Sequence, residues 1–246
     1  MFNRFYILLF ISIAFISCNE KQKQYQLNKP QNKSVSKPVI DTVQDSVFLS
    51  MGLYSITNLN SNIKVDLKYT TKDNFLQKVL YNKIDKAYLQ KDVAIRLSKC
   101  QDLLDSIRPG YHLIVYDAVR PVSVQKIMWE AMDSLPPKIR KRYVSPPQSR
   151  SLHNYGAAVD LTIVNENGVP LDMGAQYDEF NKIAYPRLEQ YFLKNGKLTS
   201  EQYENRMLLR QVMNSQNFKV LSTEWWHFNA CSNKYAKRNF KVLLEE

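Results

Sequence analysis

The chain has 246 residues, 44% of them hydrophobic, which is enough apolar material for one folded domain with its own core. Its formal net charge of +11 raises the question of nucleic-acid binding, but the Lys and Arg residues are scattered and form neither a basic helix nor an aromatic and basic platform. The composition therefore argues against a nucleic-acid partner and favours a solvated basic surface that is attracted to an anionic envelope.

The N-terminus has the pattern of a targeting segment. Met1–Arg4 is a short basic start, and Phe5–Ser17 is an apolar run too short for a comfortable membrane span. The run ends at Cys18 and turns polar at once, which resembles a bacterial lipoprotein processing site. We predict a signal peptide over 1–17 and a lipid on Cys18, with an ordinary secretory signal or an uncleaved anchor as alternatives.

The segment 18–46 is rich in Lys, Gln, Asn and Ser and poor in aromatic residues. Because such a composition buries too little apolar surface to fold, we predict a flexible polar tether. One folded domain over 47–246 follows it. An exported, tethered protein belongs to the cell envelope, on the periplasmic side or at the cell surface, and the sequence leaves the oligomeric state open.

Helical and extended patterns alternate in the folded part without a regular βαβ rhythm, which predicts an α+β fold with a mainly antiparallel sheet packed with helices. In chain order, we predict a strand over 63–69, a helix over 87–107, a strand over 111–116, a helix from Pro121 to about Leu135, a strand over 158–164, a hairpin turn over 165–168, a helix over 200–215 and an extended segment over 218–228. Cys100 lies on the apolar stripe of the first helix, so we predict a buried free thiol there rather than a disulfide with Cys231.

Histidine is scarce in this chain, and two of the three residues have unusual neighbours. His153 lies in a predicted loop, and Asp160 lies in the strand that follows, with Gly156 leaving room for close backbone approach. An acidic residue in so apolar a strand needs a partner, because an unpaired buried carboxylate is costly. A metal ion would supply that partner. The alternative is that Asp160 lies on a solvated sheet face and His153 in a surface loop.

The second histidine belongs to the run Glu224–Phe228, which contains three large aromatic residues. Aromatic walls would exclude water, raise the pKa of the Glu224 carboxyl and suit it to proton transfer. Glu224 and His227 are three residues apart and point to opposite faces of an ideal strand. Both can serve one site only if the backbone bulges or turns here; the alternative is an ordinary pair on a sheet.

Two histidines and one carboxylate form a catalytic zinc set that leaves one coordination position open for water. We therefore predict one zinc ion per chain on His153, Asp160 and His227, with Glu224 as the base. Arg120 follows a predicted strand and precedes a helix. Its guanidinium would stabilise an oxyanion or hold a substrate carboxylate, unless it pairs with Asp117 on the surface.

Together these residues resemble the D-alanyl-D-alanine metallopeptidases, a family that includes bacterial D,D-carboxypeptidases, D-Ala-D-Ala dipeptidases of the vancomycin-resistance type and the Hedgehog signalling domain. The family pattern S-x-H-x-x-G-x-A-x-D is met by Ser151, His153, Gly156, Ala158 and Asp160. The later E-x-x-H pattern with tryptophan is met by Glu224 to His227.

The dipeptidase branch fits best, because the segments 66–75, 116–121 and 173–178 also resemble its motifs, and the likeness covers 63–228. The resemblance implies zinc on the three predicted ligands, base catalysis by Glu224 and transition-state stabilisation by Arg120. It further implies contacts to a small D-amino-acid dipeptide from Tyr69, Ser151 and Asp178, with Asp178 meeting the free amine.

Two departures from the dipeptidase branch bear on the pocket and the biological role. The pair Ala118 and Val119 stands where these dipeptidases often carry Gly and an aromatic residue. The resistance dipeptidases act in the cytoplasm, whereas this chain is predicted to be exported. The alternatives are a D,D-carboxypeptidase acting on peptidoglycan stem peptides and a zinc-containing binding module without turnover.

Overall fold

A computed structural model gives the structure of this chain and describes residues 43–246. The predicted signal peptide, the predicted lipidation site at Cys18 and the tether as far as residue 42 lie outside the described residues. Over 43–246, no helix has the length and apolar character that crossing a membrane requires.

The described residues form helices α1 to α8 and strands β1 to β7. The helices are α1 Val43–Ser50, α2 Ile56–Leu59, α3 Lys91–Ile107, α4 Val122–Glu130, α5 Pro137–Arg140, α6 Glu189–Lys194, α7 Ser200–Asn214 and α8 Asn233–Asn239. The strands are β1 Leu53–Ser55, β2 Lys64–Val65, β3 Tyr88–Gln90, β4 His112–Asp117, β5 Ala158–Val164, β6 Lys219–Leu221 and β7 Glu224–Asn229. Short 3-10 turns lie at Lys68–Thr70, Leu152–Tyr155, Lys182–Ala184 and Pro186–Leu188.

The strands form one large and one small sheet. Strands β2, β4, β5, β7 and β6 make a five-stranded sheet in that order, and β1 pairs with β3 in a two-stranded sheet. The edge strand β2 runs parallel to β4, and the other neighbours are antiparallel. The predicted α+β class is confirmed, with the correction that the larger sheet is mixed at this edge.

The central strand β5 separates the hydrophobic core from the functional face of the sheet. All seven of its residues are buried. Val159, Leu161 and Ile163 belong to the main core, to which helix α3 contributes its buried stripe. Asp160 and Thr162 alternate with them and therefore face the other side of the sheet. The strand and its alternation agree with the sequence prediction.

The helix predicted over 87–107 begins only at Lys91. The residues before it, Tyr88–Gln90, pair with β1 as strand β3. A short buried strand and the first turn of an amphipathic helix have similar apolar spacing, so periodicity alone did not separate them. Cys100 lies on the buried stripe as predicted, and both Cys100 and Cys231 are free.

Other elements differ from the prediction at their ends. Helix α4 stops at Glu130, short of Leu135. The strand predicted over 63–69 is reduced to the two residues of β2, followed by a 3-10 turn. The extended segment predicted over 218–228 is a hairpin made of β6 and β7.

Helix α1 begins inside the segment that composition assigned to the tether. Its residue Asp45 is buried, accepts a hydrogen bond from the Tyr88 hydroxyl and forms an ion pair with Lys86. Phe48, one turn later, packs edge-on against the Tyr88 ring at 4.7 Å. The folded part therefore starts before residue 47, because these tertiary partners stabilise a helix that its local composition does not.

Candidate active site

The three predicted metal ligands come together at the functional face of the sheet. Asp160 on β5 and His227 on β7 are direct cross-strand partners, so their side chains project from the same face. His153 lies in the 3-10 turn that leads into β5. All three side chains are buried, and one donor atom from each lies within 4.8 Å of the others. The alternative of a solvated Asp160 and a surface His153 is therefore wrong.

The turn that carries His153 explains the spacing of the first motif. The Ser151 hydroxyl accepts a hydrogen bond from the His153 backbone N–H at 3.3 Å, and the Asn154 side chain accepts one from the Ser151 N–H at 2.7 Å. Gly156 ends the turn at a φ of +63°, and a Cβ there would lie 2.4 Å from Leu53 Cδ2. The positive φ and the lack of room for a Cβ atom both require glycine at this position.

Hydrogen bonds on the outer side of each imidazole define its tautomer. His153 Nδ1 lies 2.6 Å from the Ala118 carbonyl oxygen, and His227 Nε2 lies 2.9 Å from Asn229 Oδ1. Because both partners are acceptors, the two nitrogens that face them carry the protons. The remaining ring nitrogens therefore direct lone pairs at the centre of the ligand set, as in neutral histidines that bind metal.

The arrangement at that centre fits a zinc ion. His153 Nε2 and His227 Nδ1 are 3.1 Å apart, and Asp160 Oδ1 lies 3.3 Å and 2.9 Å from them, respectively. Three acceptors facing one another repel unless a cation or protons lie between them. Bonds of about 2.0–2.1 Å to a tetrahedral zinc would separate neighbouring ligand atoms by roughly 3.3 Å. The observed triangle is close to that size.

The second oxygen of Asp160 faces away from the imidazoles. The Tyr177 hydroxyl donates to Oδ2 at 3.2 Å, and Arg120 Nη2 lies 3.6 Å from it. Burial by itself would raise the pKa of the Asp160 carboxyl, but positive charge and hydrogen bonds from His153 and His227, when protons rather than a cation lie between the three groups, more than offset burial and hold the pKa well below its usual range. Asp160 would therefore be ionised as a metal ligand.

Arg120 is anchored at the edge of the same cleft. Its Nε and Nη2 donate to Asp117 Oδ2 at 2.8 Å and 2.5 Å, and its Nη1 donates to Gln125 Oε1 at 3.0 Å. The Tyr81 hydroxyl occupies the other Asp117 oxygen at 2.5 Å. The predicted alternative pairing with Asp117 therefore exists, but it is buried rather than on the surface, and it fixes the guanidinium beside Asp160.

A bulge in β7 brings Glu224 to the cleft that His227 faces. On β6, Val220 pairs with Phe228, and the next residue, Leu221, pairs with Glu224. Two adjacent residues of β6 therefore lie opposite two residues of β7 that are four positions apart. The extra residues on β7 remove the strict alternation that would have set Glu224 and His227 on opposite faces. The bulge that the sequence required is confirmed, and both side chains line one cleft.

Loss of water around the Glu224 carboxyl is the main reason that its pKa is raised to about 7; His227 and Arg120 oppose this effect, and the Asp160 and Asp178 carboxylates add to it. Trp226 forms part of the cleft wall, as the aromatic run predicted. Trp225 turns away, and its indole N–H donates to the Ala175 carbonyl at 3.1 Å.

Tyr69 and Asp178 form a hydrogen-bonded pair in the cleft. The Tyr69 hydroxyl donates to Asp178 Oδ2 at 3.1 Å, and the Arg120 guanidinium lies over the Tyr69 ring at 5.1 Å. Burial, followed by repulsion from Asp160, raises the pKa of the Asp178 carboxyl to about 7. A carboxylate that is costly to ionise is one that a cationic group of a ligand would stabilise.

The cleft is small. Its volume is about 190 Å³, below the roughly 300–1,000 Å³ of pockets that enclose drug-sized ligands. Aromatic rings from three loops meet beside it, with Phe180 packed 5.2 Å from Phe75 and 4.9 Å from Tyr143. All eight site residues that the sequence predicted line this cleft: Tyr69, Arg120, Ser151, His153, Asp160, Asp178, Glu224 and His227. The cleft suits a small ligand rather than a drug-sized one.

Sequence reasoning missed several residues that shape the site. Asn229 follows His227 by two positions on β7, and the period of a strand would have assigned it to the same face. Tyr177 directly precedes Asp178, but it lies in an irregular segment without periodicity. Arg142 and Arg150 line the cleft from the loop before the His153 turn, and no pattern in that loop marked them.

Comparisons with known proteins agree with this geometry. A family model described as D-ala-D-ala dipeptidase matches residues 49–244. A D-alanyl-D-alanine dipeptidase from Escherichia coli (strain K12) is 32% identical over 167 residues, which cover 68% of this chain and 78% of the relative. A D-alanyl-D-alanine dipeptidase from Enterococcus faecium is 27% identical over 212 residues, which cover 78% of this chain and 98% of the relative.

Replacing His227 by Ala is expected to abolish zinc binding, because it removes one of three donor atoms. The loss of affinity should exceed the roughly 10–100-fold that removal of an outer hydrogen-bond partner costs. His112→Ala is the matched control, since His112 lies at the far end of β4, opposite Val164. Zinc content after dialysis against a competing chelator provides the measurement. Equal zinc retention in the two variants would contradict the assigned ligand set.

Proposed function

The chain belongs to the D-Ala-D-Ala dipeptidase family of peptidases, and we propose that it hydrolyses free D-alanyl-D-alanine to two molecules of D-alanine with the help of one zinc ion. One observation carries the proposal. A single small cleft contains the predicted zinc ligands, a carboxylate of raised pKa and a second carboxylate that has no ion-pair partner among the described residues.

A zinc ion on His153, Asp160 and His227 would act as a Lewis acid on the scissile carbonyl and lower the pKa of a water molecule. Glu224 takes the proton from the attacking water and passes it to the nitrogen of the leaving D-alanine. Its pKa of about 7 suits both halves of that transfer, because the carboxylate accepts a proton and releases it near neutral pH.

Arg120 stabilises the negative charge that develops on the carbonyl oxygen. Asp117 and Gln125 hold the guanidinium in place before substrate binds, so no reorganisation is needed during the reaction. The same hydrogen bonds hold Arg120 Nη2 at 3.6 Å from Asp160 Oδ2, beside the position where the reacting group would lie.

Asp178 and Tyr69 select a substrate with a free amine. The α-ammonium of a dipeptide lies one residue from the scissile bond and would neutralise Asp178. In a longer peptide that nitrogen is an uncharged amide, and Asp178 would remain buried without a cation. Leaving a buried charged group unpaired costs a few kcal/mol, which corresponds to roughly 10²-fold discrimination or more.

The competing hypotheses differ in strength. Membership of a peptidase family, with Glu224 and Arg120 both in the cleft, argues against a binding module without turnover. A D,D-carboxypeptidase would keep the same chemistry but act on peptidoglycan stem peptides, which a tethered envelope enzyme would meet. Asp178, which lines the cleft without an ion-pair partner among the described residues, favours the free dipeptide.

We further propose that the enzyme is an envelope lipoprotein attached through Cys18. The support is the apolar run that ends at this residue and the polar segment that follows it. An enzyme on the outer side of the membrane would act in wall turnover or in scavenging of dipeptides, rather than on a cytoplasmic wall precursor.

Glu224→Gln should retain zinc and lose activity by about 10²–10⁴-fold, the usual contribution of a positioned general base. In the wild type, kcat/KM should rise with pH through a midpoint at or below about 7, since Glu224 must be ionised and a bound cation would lower its pKa further. Glu179→Gln, which changes another acidic residue that lines the cleft, is the control and should keep activity within a few-fold of the wild type. Wild-type activity in Glu224→Gln would refute the base.

The substrate proposal is tested by the ratio of kcat/KM for D-Ala-D-Ala to that for an N-acylated D-Ala-D-Ala peptide. We expect a ratio of roughly 10² or more in the wild type and a much smaller one in Asp178→Ala. A wild type that prefers the acylated peptide would instead be a carboxypeptidase. A dipeptide preference that survives Asp178→Ala would preserve the activity and remove Asp178 as its cause.

Cys18→Ala is expected to prevent both processing and acylation, and the protein should no longer partition with the membrane fraction as a lipid-modified species. Cys100→Ala is the control, because Cys100 is buried in the folded domain and should leave lipidation unchanged. Mass spectrometry of the N-terminus gives the answer. Wild-type protein with Met1 intact in the cytoplasm would overturn the proposed location.

A further inference from the structure

Tyr177 lies between the metal ligands and the amine-binding pair, and the reaction described above assigns it no role. Its ring packs 5.1 Å from Tyr116 and 5.5 Å from Trp226, and it is tilted against Tyr69 at 6.4 Å. This packing restricts the ring, so the position of its hydroxyl is set by the surrounding aromatic side chains rather than by solvent.

The Tyr177 hydroxyl makes two contacts. It donates to Asp160 Oδ2 at 3.2 Å, and it lies 3.3 Å from the Tyr69 hydroxyl, which donates to Asp178. Arg120 Nη2, at 3.6 Å, is too distant for a hydrogen bond to Oδ2. Among the described residues, Tyr177 is therefore the hydrogen-bond donor that fixes this oxygen.

The two oxygens of Asp160 thus have separate tasks. Oδ1 faces the imidazole nitrogens of His153 and His227, and Oδ2 is held by the phenol. The terminal torsion of an aspartate is broad, so a carboxylate without such a partner can rotate and exchange its oxygens. The hydrogen bond removes that freedom before the metal binds.

We propose that Tyr177 is a positioning residue that holds Asp160 as a one-oxygen zinc ligand. Its single proton goes to Asp160 Oδ2 and the Tyr69 proton goes to Asp178, so the 3.3 Å approach of the two hydroxyl groups is a packing contact rather than a hydrogen bond. The proposal rests on the zinc site of the proposed function, and it extends that site to a residue outside both motifs.

Tyr177→Phe keeps the ring and removes only the hydroxyl. The matched control is Tyr116→Phe, which removes a hydroxyl from the neighbouring ring of the same aromatic cluster. The zinc dissociation constant is measured by competition with a chelator, without substrate. We expect zinc to bind roughly 10–100-fold more weakly to Tyr177→Phe, as for other outer partners of metal ligands, and within twofold of the wild type for Tyr116→Phe.

Thermal unfolding of the metal-free proteins separates positioning from a loss of fold, because the two variants should unfold at similar temperatures. Equal zinc affinity in Tyr177→Phe and Tyr116→Phe would overturn the inference. A wild type that binds no zinc would overturn both the inference and the proposed function. A wild type that binds zinc but leaves D-Ala-D-Ala intact would refute the proposed function alone, and weaker zinc binding by Tyr177→Phe would still establish the positioning role.

Discussion

The register of β5 against its two neighbours is the constraint on which the whole site depends. Asp160 is the cross-strand partner of Asp117 on β4 and of His227 on β7, so three functional residues form one row across the sheet. A shift by one residue would turn Asp160 into the core and present Val159 or Leu161 instead. The apolar alternation that builds the core therefore also determines where the chemistry lies.

Charge compensation varies across this row and its surroundings. Asp117 pairs with Arg120 and the Tyr81 hydroxyl, and Asp160 Oδ1 faces two imidazoles. Over residues 43–246, Asp178 and Glu224 have no ion-pair partner of this kind, and the pKa of each is raised to about 7. The carboxylates that hold other groups in place are thus compensated, whereas the two for which we propose proton exchange or contact with a charged ligand are not.

Local patterns in the sequence were sufficient for part of this picture. The strand over 158–164 and the grouping of His153, Asp160 and His227 were predictable, because strict alternation and scarce histidines are visible in the sequence itself. The start of α3 was not predictable, because the pairing of Tyr88–Gln90 with β1 determines it. Helix α1 was not predictable either, because it depends on contacts with Tyr88. The role of Tyr177 depends on a side chain from an irregular segment reaching Asp160, and no short-range pattern encodes that approach.

The hairpin after β5, closed by the bridge between Val164 and Pro170, and the hairpin between β6 and β7 differ in how much change in length they tolerate. At the hairpin after β5, Gly168 has open space around it, and residues can be added without disturbing the strands. At the β6–β7 hairpin, the residues between Leu221 and Phe228 set the rotation of both Glu224 and His227. Inserting or deleting one residue there would turn one of the two away. Proteins that diverge from this chain should therefore show insertions and deletions at the hairpin after β5 but only substitutions at the β6–β7 hairpin.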